Sequence, residues 1–279
     1  MEKIAVVAAN FRHVFPAEIL RVIEKESEGK FVIMQQSTSA LPDYERDQLK
    51  KILNERSPSA LIAVCMNPEK SVLDEYTEKG VPVVLIDEYV EGHSMAACDN
   101  YTGGYTAAEF LYGAGKRRIA VITGKMDVEG GYNARKRYEG FKAALNREGA
   151  GFDEKYLVEV VNYSYKEGDE SLKKMVKQGL KPDAVFCAAG DICAMGVMKA
   201  ARELNIKVPA ELSIIGYDDM EKAKSTRPPL TTIRQPYREM AAYALDMVTR
   251  RAGEILKKPE KKLFEPRLIE RETVGRNES

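Results

Sequence analysis

A chain of 279 residues can bury one large core or two modest ones, and 44% hydrophobic with 31% charged residues is ordinary for a folded globular protein. Its 43 Lys and Arg are matched by 43 Asp and Glu, which argues against a broad cationic surface for gripping a nucleic-acid backbone. No apolar run has the length to span a bilayer, and the run 4–9 is too short for a secretory leader, so the expected setting is cytoplasmic, with no membrane partner.

Strand-like and helix-like segments alternate along the chain. Residues 4–9 read as a buried strand, and 16–28 as a helix with Ile19, Val22 and Ile23 on one face, Pro16 early and Gly29 as its stop. A strand over 31–34 follows, then a helix capped by Asp43 that carries Leu49, Ile52 and Leu53. Next come a strand at 61–65, a helix at 71–79 ended by Gly80, and strands at 83–86 and 95–99. The last of these leads into a helix reaching about Tyr112. The pattern then restarts, with strands at 119–122, 157–161, 184–188 and 212–216 separated by helices at 134–147, 170–178 and 192–204. A short β-branched strand at 231–234, one long amphipathic helix at 237–255 and a final extended piece at 263–269 complete the chain.

Repeated βα units predict an α/β protein with parallel sheets covered on both faces, and nine or more strands divide better into two sheets than one. The expected architecture is two doubly wound lobes. The break Gly113–Gly115 predicts the first passage between them, and the tail, too short for a third domain, predicts two more near 232–235 and 257–262. The expected division is therefore 1–113 plus 236–259 for one lobe and 114–235 plus 260–279 for the other, joined by a three-segment hinge suited to closure around a ligand.

Residues for catalysis are hard to find. His13 and His93 are the two histidines, far apart in sequence, and neither has a partner set. No Gly-x-Gly-x-x-Gly follows the first strand, Arg117 stands where a phosphate loop needs Ser or Thr, and no His, Cys and carboxylate cluster has metal-ligand spacing. Cys65, Cys98, Cys187 and Cys193 lie in or beside strand-like runs, without a Cys-x-x-Cys pair, as buried thiols of a reducing compartment do. No enzyme, cofactor or metal is expected.

Polar residues at strand ends are more informative, because open parallel sheets hold ligands at the carboxyl ends of their strands. Asp218 and Asp219 close the strand at 212–216, and Asp218 suits either capping or ligand binding on spacing alone. Asp99 and Asn100 read as a turn and capping pair in which Asn100 can cap the helix behind it, and Asp191 reads as the cap of its own helix. Arg137 lies in the first turn of its helix in line with Phe141, Ala144 and Leu145, so its charge needs a partner: a protein carboxylate or a ligand oxygen.

These motifs converge. The run from Val208 to Asp219 (VPAELSIIGYDD), then Pro229 to Pro236 (PLTTIRQP), resembles the signature of LacI/GalR-family sensor domains, the lac-repressor and purine-repressor group. Asp99-Asn100-x-x-Gly103-Gly104, Arg137-x-x-Gly140-Phe141, Pro182-Asp183-Ala184-Val185-Phe186 with Asp191, and Pro266-Arg267-Leu268-Ile269-Glu270-Arg271 extend the resemblance over nearly the whole chain in order. It implies a periplasmic-binding-protein-like fold, a small-molecule effector in an interlobe cleft whose binding changes the lobe angle, a homodimer, and DNA contact only through a helix-turn-helix head absent from this chain. By the same resemblance Arg137 grips effector oxygens, Asp218 is the acidic acceptor and Gln235 the crossing residue that reaches the ligand. It places His13, Phe15, Pro16 and Ile19 on an apolar wall, Tyr163 as the stacking aromatic, Thr102 as a polar contact and Asp191 within the ligand-binding motif.

Two departures bear on the effector. Gly190 stands where sugar-binding members often carry Asn, and Gly131 where the purine repressor's arginine is expected, after a longer loop. A sugar or sugar derivative is favoured over a purine, since paired Asp and Arg with a stacking ring suit neighbouring hydroxyls. The competing expectation is a free-standing solute-binding protein of the sugar-receptor type, without catalytic activity.

Overall fold

The computed structural model describes residues 2–39, 41–128 and 130–276. In chain order its elements begin β1 (Lys3–Ala8), α1 (Val14–Ser27), β2 (Val32–Ser37), α2 (Pro42–Lys51), β3 (Ala60–Val64), α3 (Lys70–Glu78), β4 (Val83–Ile86) and β5 (Ser94–Cys98). Then follow α4 (Asn100–Gly113), β6 (Ile119–Gly124), α5 (Tyr132–Arg147), β7 (Leu157–Val160), α6 (Tyr165–Lys177), β8 (Ala184–Cys187), α7 (Asp191–Glu203) and β9 (Ser213–Asp218). The chain ends with β10 (Thr231–Arg234), α8 (Tyr237–Thr249), α9 (Ala252–Ile255), β11 (Lys261–Phe264) and β12 (Arg267–Ile269).

The chain forms two compact units, 1–98 with 236–264, and 99–235 with 265–279. Residues 277–279, expected in the second lobe, and Met1, expected in the first, lie outside the described residues. In the first unit six strands run in the order β11-β5-β4-β3-β1-β2, and every pairing is parallel. Alternate residues of β1 divide the core: Ile4, Val6 and Ala8 pack under α1 and α8, whereas Ala5 and Val7 pack under α2 and α3. The second unit repeats the topology as β12-β10-β9-β8-β6-β7, with β12 antiparallel on β10 and the other pairings parallel. Ala120 and Ile122 of β6 face α6 and α7, while Ile119 and Val121 face α4 and α5. Both sheets thus have a switch in strand order, between β1 and β3 in one and between β6 and β8 in the other, where such sheets open a crevice for ligands.

Three expectations need correction. The first passage between units falls at 98–99, not at Gly113–Gly115, so α4 belongs to the second unit. The reason is packing: a Cβ on Gly104 would lie 1.8 Å from the Arg137 carbonyl oxygen and one on Gly140 would lie 1.9 Å from that of Tyr101, so α4 and α5 touch backbone to backbone. The long helix at 237–255 breaks after Thr249, whose hydroxyl bonds back to the Leu245 carbonyl (2.7 Å), while Arg251 leaves helical geometry at φ −111°, ψ 14°. The extended piece at 263–269 is two strands in two sheets. Lys261–Phe264 pairs with β5 in the first unit, so 260–264 does not join the second, and Pro266, lacking an N–H, separates it from β12.

Candidate functional site

At the carboxyl edge of the second sheet, the ends of β8, β9 and β10 bring polar groups into one hydrogen-bonded neighbourhood. Strand β9 ends at Asp218, which has φ 109°, and Asp219 follows at φ 58°. Two successive non-glycine residues with positive φ cost about 1–3 kcal/mol each and persist only where the surroundings over-determine them. Those surroundings are visible. The fully buried Asp191, first residue of α7, accepts the Met220 N–H at Oδ2 (2.8 Å) and the Thr232 hydroxyl at Oδ1 (2.6 Å). Asp219 pairs with Arg234 Nε at 2.7 Å and with Arg271, which anchors the turn to β10 and to the segment after β12. Asp219 is therefore structural, while Asp218 Oδ1 accepts the Gln235 side-chain amide at 2.7 Å.

Gln235 is 3% exposed, and its Oε1 has no hydrogen-bond partner among the described residues. Thr123 Oγ1, near the end of β6, is likewise buried and unpartnered. Native interiors leave few such atoms, so each asks for an explanation. Burial raises the Asp191 carboxyl well above the usual carboxylate range, and the nearby charge of Asp218 pushes the same way.

Arg137 is buried, as its helical register requires, and its partners are protein atoms. Nε donates to Asn100 Oδ1 (2.6 Å), a terminal nitrogen donates to the Ala188 carbonyl (2.8 Å), and the guanidinium lies 3.7 Å over the Tyr217 ring. Asn100 is the hub: its Oδ1 also accepts from the Tyr217 hydroxyl (3.2 Å), and its amide donates to Asn133 Oδ1 (3.0 Å). Of the expected capping pair, Asp99 alone caps α4, accepting from Thr102 N–H (3.0 Å) and Thr102 Oγ1 (2.8 Å). The cap expected of Asn100 thus falls to Asp99, and Asn100, as first residue of the helix, turns its side chain to Arg137, Tyr217 and Asn133. Tyr217 lies in an apolar run and carried no signal of its own.

The remaining expected residues divide. Thr102 is committed to Asp99. Tyr163 is 40% exposed at φ 53°, its hydroxyl lying over Gly124, where a Cβ would come within 1.8 Å. In the first unit, His13 is exposed at the N-cap of α1 without a side-chain capping bond, and Phe15 is half-buried, edge-on to Tyr237 at 5.2 Å. Ile19 is 0% exposed and packs in the core with β1 and α8, so it is not a wall residue; the helical face that made it apolar also buries it. No group of three or more His, Cys, Asp or Glu among the described residues could hold a metal, and no described helix is long and apolar enough to cross a membrane.

Two six-stranded lobes of one topology define the periplasmic-binding-protein-like class. Residues 108–274 match the family model described as a periplasmic binding protein-like domain. An HTH-type transcriptional repressor PurR from Escherichia coli O1:K1 / APEC is 31% identical over 281 residues, covering 98% of this chain and 80% of that protein. Among solved structures, a periplasmic binding protein/LacI transcriptional regulator from Alkaliphilus metalliredigens, complexed with D-xylulofuranose, is 26% identical with a TM-score of 0.82 over 98% of this chain and 99% of its own. A LacI family regulator from Enterococcus faecium with bound ribose shares the fold at 22% identity, TM-score 0.84, covering 99% of this chain and all of its own. The chain belongs to the LacI/GalR family of transcriptional regulators, whose effector-binding domain it resembles throughout.

Proposed function

We propose that this chain is the non-catalytic effector-binding and dimerisation core of a transcriptional regulator, and that its effector is a small polyhydroxylated molecule, a sugar or sugar derivative. The observation that carries the reading is the acceptor pair at the end of β9 and β10. The Asp218 carboxylate is bonded to the Gln235 amide, and the buried Oε1 of Gln235 lacks a donor among the described residues. Two adjacent acceptors suit neighbouring hydroxyls, each of which brings a donor. Arg137, Tyr163 and, from the first unit, His13 and Phe15 are the further contacts this reading assigns; Thr102 and Asp191 are already engaged by protein groups. The pentoses bound by the Alkaliphilus and Enterococcus regulators are consistent with that class. Effector binding would alter the angle between lobes and so control a DNA-binding head, in a homodimer acting in the cytoplasm.

A purine is the second reading, favoured by the Phe186–Asp191 run with Gly190 in place of Asn. Against it stands Gly131, which has no room for a side chain: a Cβ would meet the Met126 carbonyl at 2.6 Å. Thermal-shift screening with pentoses, hexoses, their phosphates and purines, followed by calorimetry, separates the two. For the ligand found, Asp218→Asn should weaken binding about 10–100-fold, the equivalent of a hydrogen bond to a charged group. Unchanged affinity would remove Asp218 from the site.

A further inference from the structure

We infer that Asp191 is a positioning residue: it latches the turn after β9 to β10 and so fixes where Asp218 stands, without touching effector itself. The inference rests on the reading above, in which Asp218 receives the effector.

Geometry carries it. Each carboxyl oxygen of Asp191 is engaged, Oδ2 by the N–H of Met220 two residues beyond Asp218, and Oδ1 by Thr232 on β10. The strand is bare where the carboxyl crosses it, since a Cβ on Gly216 would come within 2.1 Å of Oδ1. The residue before Asp191 touches the other side of the same device: Gly190 has φ 106°, and a Cβ there would lie 2.9 Å from Asp218 Oδ2. Residue 191 thus ties the outgoing backbone of the Asp218 turn, and the glycine at 190 leaves room for its side chain. Thr232 adds a second tie, its Oγ1 accepting the Asp219 N–H at 3.4 Å. A side chain that contacts the effector needs surface open to it. Asp191 is 0% exposed and has both oxygens in use.

Burial first, and the nearby charge of Asp218 second, push the Asp191 carboxyl up, towards its neutral acid form. In that form Oδ1 can carry the proton and donate it to the Thr232 oxygen, whose own hydrogen turns away, while Oδ2 accepts from Met220. An asparagine reproduces that pattern, with its carbonyl towards the amide and its NH2 towards the hydroxyl. A leucine of similar volume reproduces neither.

The test uses the full 15N-labelled chain without ligand and follows two signals: the Gln235 side-chain amide, which donates to Asp218, and the Met220 backbone amide. Asp191→Asn should leave both where they are. Asp191→Leu should shift the Gln235 amide and speed Met220 exchange by tenfold or more, and Thr232→Val, which cuts one bond and keeps the shape, should move the signals in the same direction if the leucine chain does not fold. Unchanged Gln235 and Met220 signals in Asp191→Leu would overturn the latch. So would a Gln235 amide indifferent to Thr232→Val. Failure of the effector assignment would appear instead in ligand titration of Asp218→Asn, so the two ideas fail separately.

Discussion

Arg137 shows how one side chain can serve fold and site together. Its guanidinium is committed to Asn100, to the Ala188 carbonyl and to the face of Tyr217, so truncation removes a donor from each of two buried acceptors. Arg137→Ala should destabilise the protein by about 2–4 kcal/mol in urea unfolding, a cost separate from any loss of ligand. Arg137→Lys should recover little of it, because an ammonium matches neither the planar stacking nor the forked donation. The need for a buried partner was legible from the helical register of Phe141, Ala144 and Leu145, but the partner's identity was not. Asn100 is 37 residues away in sequence and Tyr217 is a further 80 beyond Arg137, and no local pattern encodes that meeting.

Helices of the second unit pair through glycines on both faces of its sheet. On one face Gly104 and Gly140 bring α4 against α5; on the other, a Cβ on Gly168 would lie 2.0 Å from the Cys193 carbonyl and one on Gly196 2.0 Å from that of Tyr165, which locks α6 to α7. Gly140→Ala should therefore cost about 1–3 kcal/mol or more, read by the thermal midpoint, although alanine has the better helix propensity. Helix α6 begins with a capping box in which Ser164 and Glu167 exchange hydrogen bonds. Burial alone would raise the Glu167 carboxyl, but the N–H groups of Val161, Ser164 and Asn162, with the Ser164 hydroxyl, outweigh it and bring it down to about 2. Because that value is below the ordinary 4.5, the contribution is complete above about pH 4.5 and is lost as pH falls towards about 2. Glu167→Ala should cost about 0.5–2 kcal/mol at neutral pH, and the difference from the parent chain should shrink through that acid range in denaturant titrations. Periodicity and glycines marked where most helices and strands run. The break after Thr249 and the split at Pro266 were hidden, since both depend on what the chain meets in three dimensions.

For the molecule as a whole, the α/β class and paired sheets were legible because βα alternation leaves few other solutions. The division of the chain was less so: a Gly-rich stretch looks like a linker, yet here it merely ends α4. The proposed homodimer predicts a sedimenting species of twice 31.2 kDa at micromolar concentration, and a monomer there would count against it.

The first unit closes only late in the chain. Helix α8 covers one face of its sheet with Met240, Ala241, Ala244, Leu245, Met247 and Val248, and β11 supplies its last edge. During synthesis, residues 1–98 therefore emerge before the second unit yet lack α8 beside α1 on that face, and β11 at the edge, until residue 264 has left the ribosome, while the second unit by then lacks only β12 and the segment after it. Of the two units the first thus stays incomplete while nearly all of the second is made, and it depends the longer on protection from other nascent chains.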